Sequence, residues 1–393
     1  MAHFRPRILS QLIKKSLGWS PIVGVLGARQ CGKTTLLKQF CNETLTFDHP
    51  KTESLFETAG EQLLESAKKP LFLDEVQKYP PIFDLLKYSV DERRRPGQFL
   101  ITGSVRFASK KNIQESLTGR AIVWELLPLT LEETHSKPLS SFWEEFRPKS
   151  VEKLFQRLEK RDEFSESHLK TYLKQGGMPG ICFLRDSSQR EAAFSSLVET
   201  IIERDFYFVR ASKVRAALLL ELLADLAVSQ GDPISFSVLA KKYRVSLPTI
   251  KVIIRTFEDL FLIRWHGKTC FFEDLGIRNH LVESRGLHLT RPIESLVFSQ
   301  LKAARAYLKE EAIRIHPYQT RGGAYVPFVL ETKSHGTIAI AIDEEPVLSE
   351  KSVKSLYSFV KQSPTATLLH FHSGKNSTLH KGKIISLPIT KLF

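Results

Sequence analysis

The residues Gly27-Ala28-Arg29-Gln30-Cys31-Gly32-Lys33-Thr34 place two glycines, a lysine and a hydroxyl at the spacing G-x-x-x-x-G-K-T. Glycines at these positions let backbone N–H groups close around phosphate oxygens, while Lys33 reaches the β- and γ-phosphates and the Thr34 hydroxyl ligates Mg²⁺. With Thr35, which opens the following helix, they form the candidate ATP-binding set: Gly27, Ala28, Arg29, Gln30, Cys31, Gly32, Lys33, Thr34 and Thr35. A second signal is Leu71-Phe72-Leu73-Asp74-Glu75, an apolar run ending in two acids. Carboxylates at the end of a buried strand need a partner, and a metal ion supplies one. Asp74 is the expected second holder of Mg²⁺, and Glu75 the residue that orients and polarises an attacking water. Gln98-Phe99-Leu100-Ile101-Thr102-Gly103-Ser104 ends in small polar residues. Ser104, with Thr102 behind it, reads either as a γ-phosphate sensor or as an ordinary turn serine. Asp48, after Leu45-Thr46-Phe47, is either a site residue or a turn aspartate.

The elements needed to position these groups are legible around them. Ile22-Val23-Gly24-Val25-Leu26 reads as a buried strand entering the glycine loop, and Thr35–Phe40 as the helix leaving it, whose N-terminal end adds positive potential. Residues 1–135 alternate strand and helix patterns, the signature of a parallel α/β sheet.

The 393-residue chain has room for two or three domains. Its 42% hydrophobic and 25% charged residues are ordinary for a soluble protein, and no apolar run is long enough to span a membrane. The N-terminus lacks the apolar core of a signal peptide. Cys31, Cys41, Cys182 and Cys270 have no metal spacing and read as reduced thiols of a cytoplasmic protein, with Cys31 a small filler in the loop. A net charge of +14 favours an acidic partner, commonly nucleic acid.

A polar stretch from His135 to Ser167 reads as a linker with helices, and Leu169–Leu262 as mostly helical. Within it, Phe236–Ile254 has a helix-turn-helix pattern: a helix near Ser237–Tyr243, Val245 in the turn, Ser246 capping a second helix and Pro248 in its first turn. Leu260–Trp265 follows as a wing strand. Thr249, Lys251 and Arg255 on the second helix are the candidates to face DNA, against the alternative of a scaffold or protein-contact module. Further strands are expected at Ile313–Ile315, Tyr325–Leu330, Thr337–Ile342, Thr367–His372 and Lys383–Pro388, and a helix at Ser352–Gln362. His370 and His372 share one strand face. Without an evident third ligand, they read as exposed strand histidines and not as a metal pair.

Beyond these readings, the chain resembles a family of predicted AAA+-type P-loop ATPases of bacteria and archaea that carry a C-terminal domain of unknown function. The resemblance rests on Gly27–Thr34, Leu71–Gln77, Thr102–Ser104, Leu117–Arg120 and Leu126–Thr130. It continues through Gly176-Gly177-Met178-Pro179, Glu203-Arg204-Asp205, Phe272–Gly276 and Ile293-Glu294-Ser295. It implies an α/β fold with an AAA-type P-loop NTPase sheet (residues 1–135), a helical winged-helix domain (136–282) and a restriction-endonuclease-like α/β domain (283–393). It also implies that Arg120 is an arginine finger, in cis or from a neighbouring subunit, the alternative being an arginine paired with an acid. The last domain departs from nuclease chemistry. Pro327 stands where a metal-binding Asp belongs, Ala341 and Asp343 stand where Glu and Lys belong, and Glu294 alone remains. Glu331-Thr332-Lys333 imitates the Glu-x-Lys motif but falls where a connecting hairpin is expected. This domain is therefore expected to be inactive.

The function these residues favour is Mg-dependent ATP hydrolysis driving the C-terminal module. The alternatives are an ATP-gated DNA-binding regulator or adaptor, a nuclease, and a module that binds a protein partner.

Overall fold

The computed structural model describes residues 5–106, 115–140, 142–146, 150–308, 314–333 and 336–393. The chain gathers into two compact units, and these do not follow three consecutive ranges. The first unit comprises Met1–Leu129, Met178–Leu219 and Ala240–Ile263, and the second Thr130–Gly177, Leu220–Leu239 and Arg264–Phe393.

The first unit is built on strands β1 (Ile22–Leu26), β2 (Glu43–Thr46), β3 (Leu71–Asp74), β4 (Phe99–Gly103) and β5 (Ala121–Glu125). They form one sheet in the order β2-β3-β4-β1-β5, with every pairing parallel. Strands β1, β3 and β4 are buried along their whole length, which explains their uninterrupted apolar sequence. Because the strands are parallel and Leu26 pairs with Gly103, the segments after β1, β3 and β4 emerge at one edge of the sheet. Ligand sites of open parallel sheets lie at this carboxyl edge. The helix after the glycine loop is shorter than its sequence suggests, covering Lys33–Leu37 only. The 178–219 segment adds helix Ser187–Thr200, a π-helical turn Ile201–Asp205 and helix Phe206–Val209. The last segment adds helix Leu247–Asp259, capped by Ser246 as its sequence indicates. Helix Phe236–Tyr243 precedes it, and a hairpin of β6 (Ile263–His266) and β7 (Thr269–Phe272) follows it.

The second unit contains a six-stranded mixed sheet of β8 (Arg314–Gln319), β9 (Tyr325–Thr332), β10 (Gly336–Ile342), β11 (Thr367–His372), β12 (Thr378–His380) and β13 (Ile384–Pro388). The order is β12-β13-β11-β10-β9-β8. Alternation along β10 sends Ile338 and Ile340 into a cluster with Phe298 and Leu301 of helix Pro292–Tyr307, and Ala339 and Ala341 into another with Leu356 and Phe359 of helix Glu350–Val360. Both faces are thus covered. His370 and His372 are correspondingly buried, at 0% and 2% exposure, and not exposed as their sequence suggests. His370 Nδ1 lies 2.7 Å from Ser386 Oγ, and its Nε2 lies 3.0 Å from Asp343 Oδ2. Glu331 and Thr332 end β9 and Lys333 begins the turn, where Glu331 meets Arg314 and His316. Ile313, the expected start of a strand, lies outside the described residues. Among the described residues the four cysteines are free, no helix is long and apolar enough to cross a membrane, and no cluster of three or more His, Cys, Asp or Glu could hold a metal ion.

Candidate functional site

The glycine loop lies between β1 and helix Lys33–Leu37, and two of its glycines are dictated by geometry. A Cβ on Gly27 would collide with the Leu126 carbonyl oxygen, and Gly32 adopts φ +98°, a conformation L side chains rarely enter. Gln30 also has positive φ, at 61°. Lys33 is 4% exposed, and its Nζ donates to the carbonyls of Gly27 and Ala28 at 3.0 and 2.9 Å. Its ammonium is therefore held inside the arch of the loop. Cys31 is fully buried with its thiol 3.5 Å from the Leu126 carbonyl, and burial pushes its pKa up. Burial thus favours the neutral thiol over the thiolate. Arg7 donates to the carbonyls of Cys31 and Leu127, fixing the outer side of the loop.

Thr34 Oγ1 lies 2.9 Å from Asp74 Oδ2, and the Thr102 hydroxyl donates to Asp74 Oδ1. Burial raises the Asp74 pKa, partly countered by these two hydroxyl hydrogen bonds. A hydroxyl and a buried carboxylate side by side are hard oxygen donors, so the pair fits Mg²⁺. Glu75 follows in a left-handed conformation, φ 56° and ψ 43°. A non-glycine residue is seldom found there, and such backbone strain clusters at functional sites. Its backbone N–H donates to Thr102 Oγ1 at 3.1 Å, and its carboxylate accepts from Ser104 Oγ at 3.0 Å and from Gln77 Nε2. Gln77 Nε2 also donates to Ser104 Oγ at 3.1 Å. Glu75, Gln77 and Ser104 thus form a closed triangle. Gln77 was not singled out from sequence, although it lies two residues past Glu75 in the same motif.

Lys33, Thr34, Glu75, Gln77 and Ser104 open onto one cavity of about 950 Å³ within the first unit, with Asp74 buried behind Thr34. Its walls include Arg29, Lys33, Thr34 and Thr35 of the loop, Glu75 and Ser104, and Asp48, which is paired with Lys78. The far wall comes from distant sequence: Arg204, Asp205 and Phe208. Arg29 Nη1 and Asp205 Oδ2 form an ion pair at 2.9 Å. The sequence Glu203-Arg204-Asp205 by itself carries no signal of this role. A π-helical turn carries it, and such turns are frequent at functional sites. Arg120 is not among the lining residues. It is tied by two contacts of 2.6 Å to Asp91, the alternative its sequence position left open. Lys251 and Arg255 are exposed on helix Leu247–Asp259, whereas Thr249 is half-buried with its hydroxyl 2.8 Å from Ser246 Oγ.

Residues 20–135 match a family described as an AAA domain, and residues 166–283 one described as a domain of unknown function, DUF8612. An uncharacterized protein of Mycobacterium tuberculosis is 25% identical over 269 residues, which cover 68% of this chain and 54% of that protein. The chain thus spans about half the length of that relative. An uncharacterized protein of Methanocaldococcus jannaschii is 23% identical over 385 residues, covering 91% of this chain and 82% of that protein. Among solved structures, a Walker-type ATPase of Pyrococcus abyssi aligns at a TM-score of 0.41 with 14% identity, over 69% of this chain and 94% of that one. The AAA-domain match, together with the five-stranded parallel sheet and its glycine loop, makes the N-terminal region an AAA-type P-loop fold.

Proposed function

We propose that the first unit binds ATP with Mg²⁺ and hydrolyses its β–γ phosphoanhydride bond. The observation that carries this reading is the convergence of Lys33, the Thr34–Asp74 pair and the Glu75–Gln77–Ser104 triangle on one cavity edge. Thr34 and Asp74 are the residues that would hold Mg²⁺, which supplies charge neutralisation at the β- and γ-phosphates when bound. Lys33 places a buried cation inside the phosphate loop. Ser104 and Gln77 fix the Glu75 carboxylate, so that it accepts a hydrogen bond from water in one orientation, and Ser104 reports on the γ-phosphate through the same contact. Arg204, on the opposite wall, brings a cation toward the charge that develops in the transition state. Such phosphoryl chemistry is mostly positioning and electrostatics. Arg120 is kept as a finger only toward a neighbouring copy, since within its own chain Asp91 holds it.

For the remainder we infer a winged-helix segment and an inactive nuclease-like domain. The order helix, turn, helix, hairpin supports the first. The mixed sheet with helix Glu350–Val360 between β10 and β11 supports the second. The nuclease acids are absent, and Asp343, the nearest substitute, is occupied by Ser349, Ser352 and His370. DNA or a protein partner would be the target of the nucleotide-driven change.

The test is ATP turnover and nucleotide binding by the wild type, Lys33→Ala and Glu75→Gln. Glu75→Gln should bind Mg·ATP while losing at least about 100-fold in turnover, and Lys33→Ala should lose both. Turnover that survives Glu75→Gln would remove Glu75 from the chemistry. A wild type that fails to bind ATP would end the reading altogether.

A further inference from the structure

Helix Leu247–Asp259 has two faces with different environments. Ile250, Ile253, Ile254 and Phe257 are buried, while Lys251, Val252 and Arg255 are exposed on the opposite side at helical spacing. Lys241, Lys242 and Arg244, just before it, are also exposed. Five cations therefore fall within residues 241–255, a span without a single acid. The only acids before the helix ends are Glu258 and Asp259, the latter buried with Arg255, Arg106 and Arg210 in its field. The first turn of the helix carries no acidic residue, so its positive end adds to the cationic field. A cationic helix preceded by a tight turn suits the major groove of duplex DNA, which admits a helix, whereas the groove of A-form RNA does not.

The buried side of this helix is braced by two segments that run directly from the phosphate cavity, all within the first unit. One follows β4. Two residues past Ser104, the backbone N–H of Arg106 donates to the Asp259 carbonyl and its Nε to the Glu258 carbonyl, each at 2.9 Å. Its guanidinium also pairs with Glu125 at 3.0 Å and lies 4.2 Å from the ring centre of Phe261. Arg106 thus caps the C-terminal end of the helix, where carbonyls lack partners and a cation is favoured. The other brace begins at the Arg29–Asp205 pair. The next residue, Phe206, is fully buried with its ring 5.9 Å from that of Phe257. A phosphate arriving beside Arg29 competes with Asp205 for the same guanidinium, and one arriving beside Ser104 competes with Glu75. Each brace therefore has a contact that differs between nucleotide states, which linkage requires.

We propose that Lys241, Lys242, Arg244, Lys251 and Arg255 form a docking surface for the phosphates of duplex DNA. Its affinity is linked to the nucleotide cavity through Arg106 and Phe206. The linkage rests on the ATP reading above, and the surface does not. The experiment is fluorescence anisotropy of a labelled 20-base-pair duplex with the full chain, from about 50 to 200 mM salt, without nucleotide, with ADP, and with a non-hydrolysable ATP analogue. Binding without nucleotide should weaken steeply with salt. The Lys251→Gln, Arg255→Gln double variant should lower the log–log salt slope by about two. The analogue should shift affinity about fivefold or more. Arg106→Lys, which keeps the charge but loses the fork, should abolish that shift while retaining nucleotide-free affinity. Phe206→Leu should do likewise, with thermal unfolding confirming that both variants fold. A salt slope unchanged by the double variant overturns the surface, and so does tighter binding of an RNA hairpin than of the duplex. A nucleotide shift that persists in both brace variants overturns the linkage. Direct titration of the analogue into the wild type separates that result from failure of the ATP site, because the nucleotide-free DNA measurement decides the surface by itself.

Discussion

Glu294→Gln should flatten the pH dependence of stability, and the size of the effect follows from the surroundings of this carboxyl. Glu294 is 4% exposed, its Oε2 lies 3.1 Å from Arg291 Nη1, and its Oε1 has no hydrogen-bond partner among the described residues. Burial pushes its pKa from 4.5 to about 7 despite the attraction of Arg291. Between these values the folded protein keeps a proton that the unfolded chain has lost, so stability falls as pH rises from 4.5 to 7. The full loss is about 3 kcal/mol above pH 7, at 1.36 kcal/mol per pH unit. His372 acts in the opposite sense. Burial and neighbouring His370 hold it near 4 instead of 6.5, so the unfolded chain takes up a proton first and stability rises with pH across that window. His372 is common to both proteins and cancels in the comparison, whereas Glu344, itself raised by burial, is one of the charges that push Glu294 up. Urea unfolding at pH 5, 6, 7 and 8 measures the difference. The variant should match the wild type within about 1 kcal/mol at pH 5 and exceed it by about 2–3 kcal/mol at pH 8. Parallel stability profiles for the two proteins would refute the reasoning.

Two further outcomes are expected. Gln77→Ala leaves the Glu75 carboxylate with Ser104 alone, so kcat should fall about tenfold or more with little change in nucleotide affinity. A pure loss of affinity would show that Gln77 contacts the substrate instead. Arg278 is completely buried and donates to the carbonyls of Ala227 and Thr290 and to Ser295 Oγ. Arg278→Ala should therefore cost about 3–5 kcal/mol in urea unfolding, and a loss below about 1 kcal/mol would mean that water replaces all three contacts.

The parts of the site carried by contiguous sequence are readable because each ends or follows a strand that is buried along its whole length. Leu71–Leu73 can only be so apolar inside a sheet, and the acids that follow are then conspicuous. Ser246 was readable as a cap for a similar local reason, since its side chain serves the N–H of Thr249 three residues on. What escaped depends on distance. Nothing near Arg204 or Asp205 announces that a π-helical turn brings them opposite a loop 176 residues earlier. Arg106 looks like any arginine after a strand until the end of helix Leu247–Asp259 is found against it. The histidine pair was misread because a period of two usually marks a strand with one wet face. Helices cover both faces of this sheet, so its second face is also buried. The repeated passage of the chain between the two units is likewise not legible in composition, which marks linkers only.

That return has a consequence for synthesis. The chain passes between units at 129/130, 177/178, 219/220, 239/240 and 263/264, so the wall of the phosphate cavity contributed by Asp205 and the brace at Glu258 emerge long after the glycine loop. At translation rates of about 5–20 residues per second, the interval from Thr35 to Ile263 lasts roughly eleven to forty-six seconds. By Glu125 the parallel sheet has all its strands, but the residue that pairs with Arg29 arrives only with Asp205, and the helix end held by Arg106 only with Asp259. A ribosome that stalls between Glu125 and Asp205 therefore releases an incomplete first unit, with the strands and phosphate loop made but no Asp205 across the cavity from Arg29.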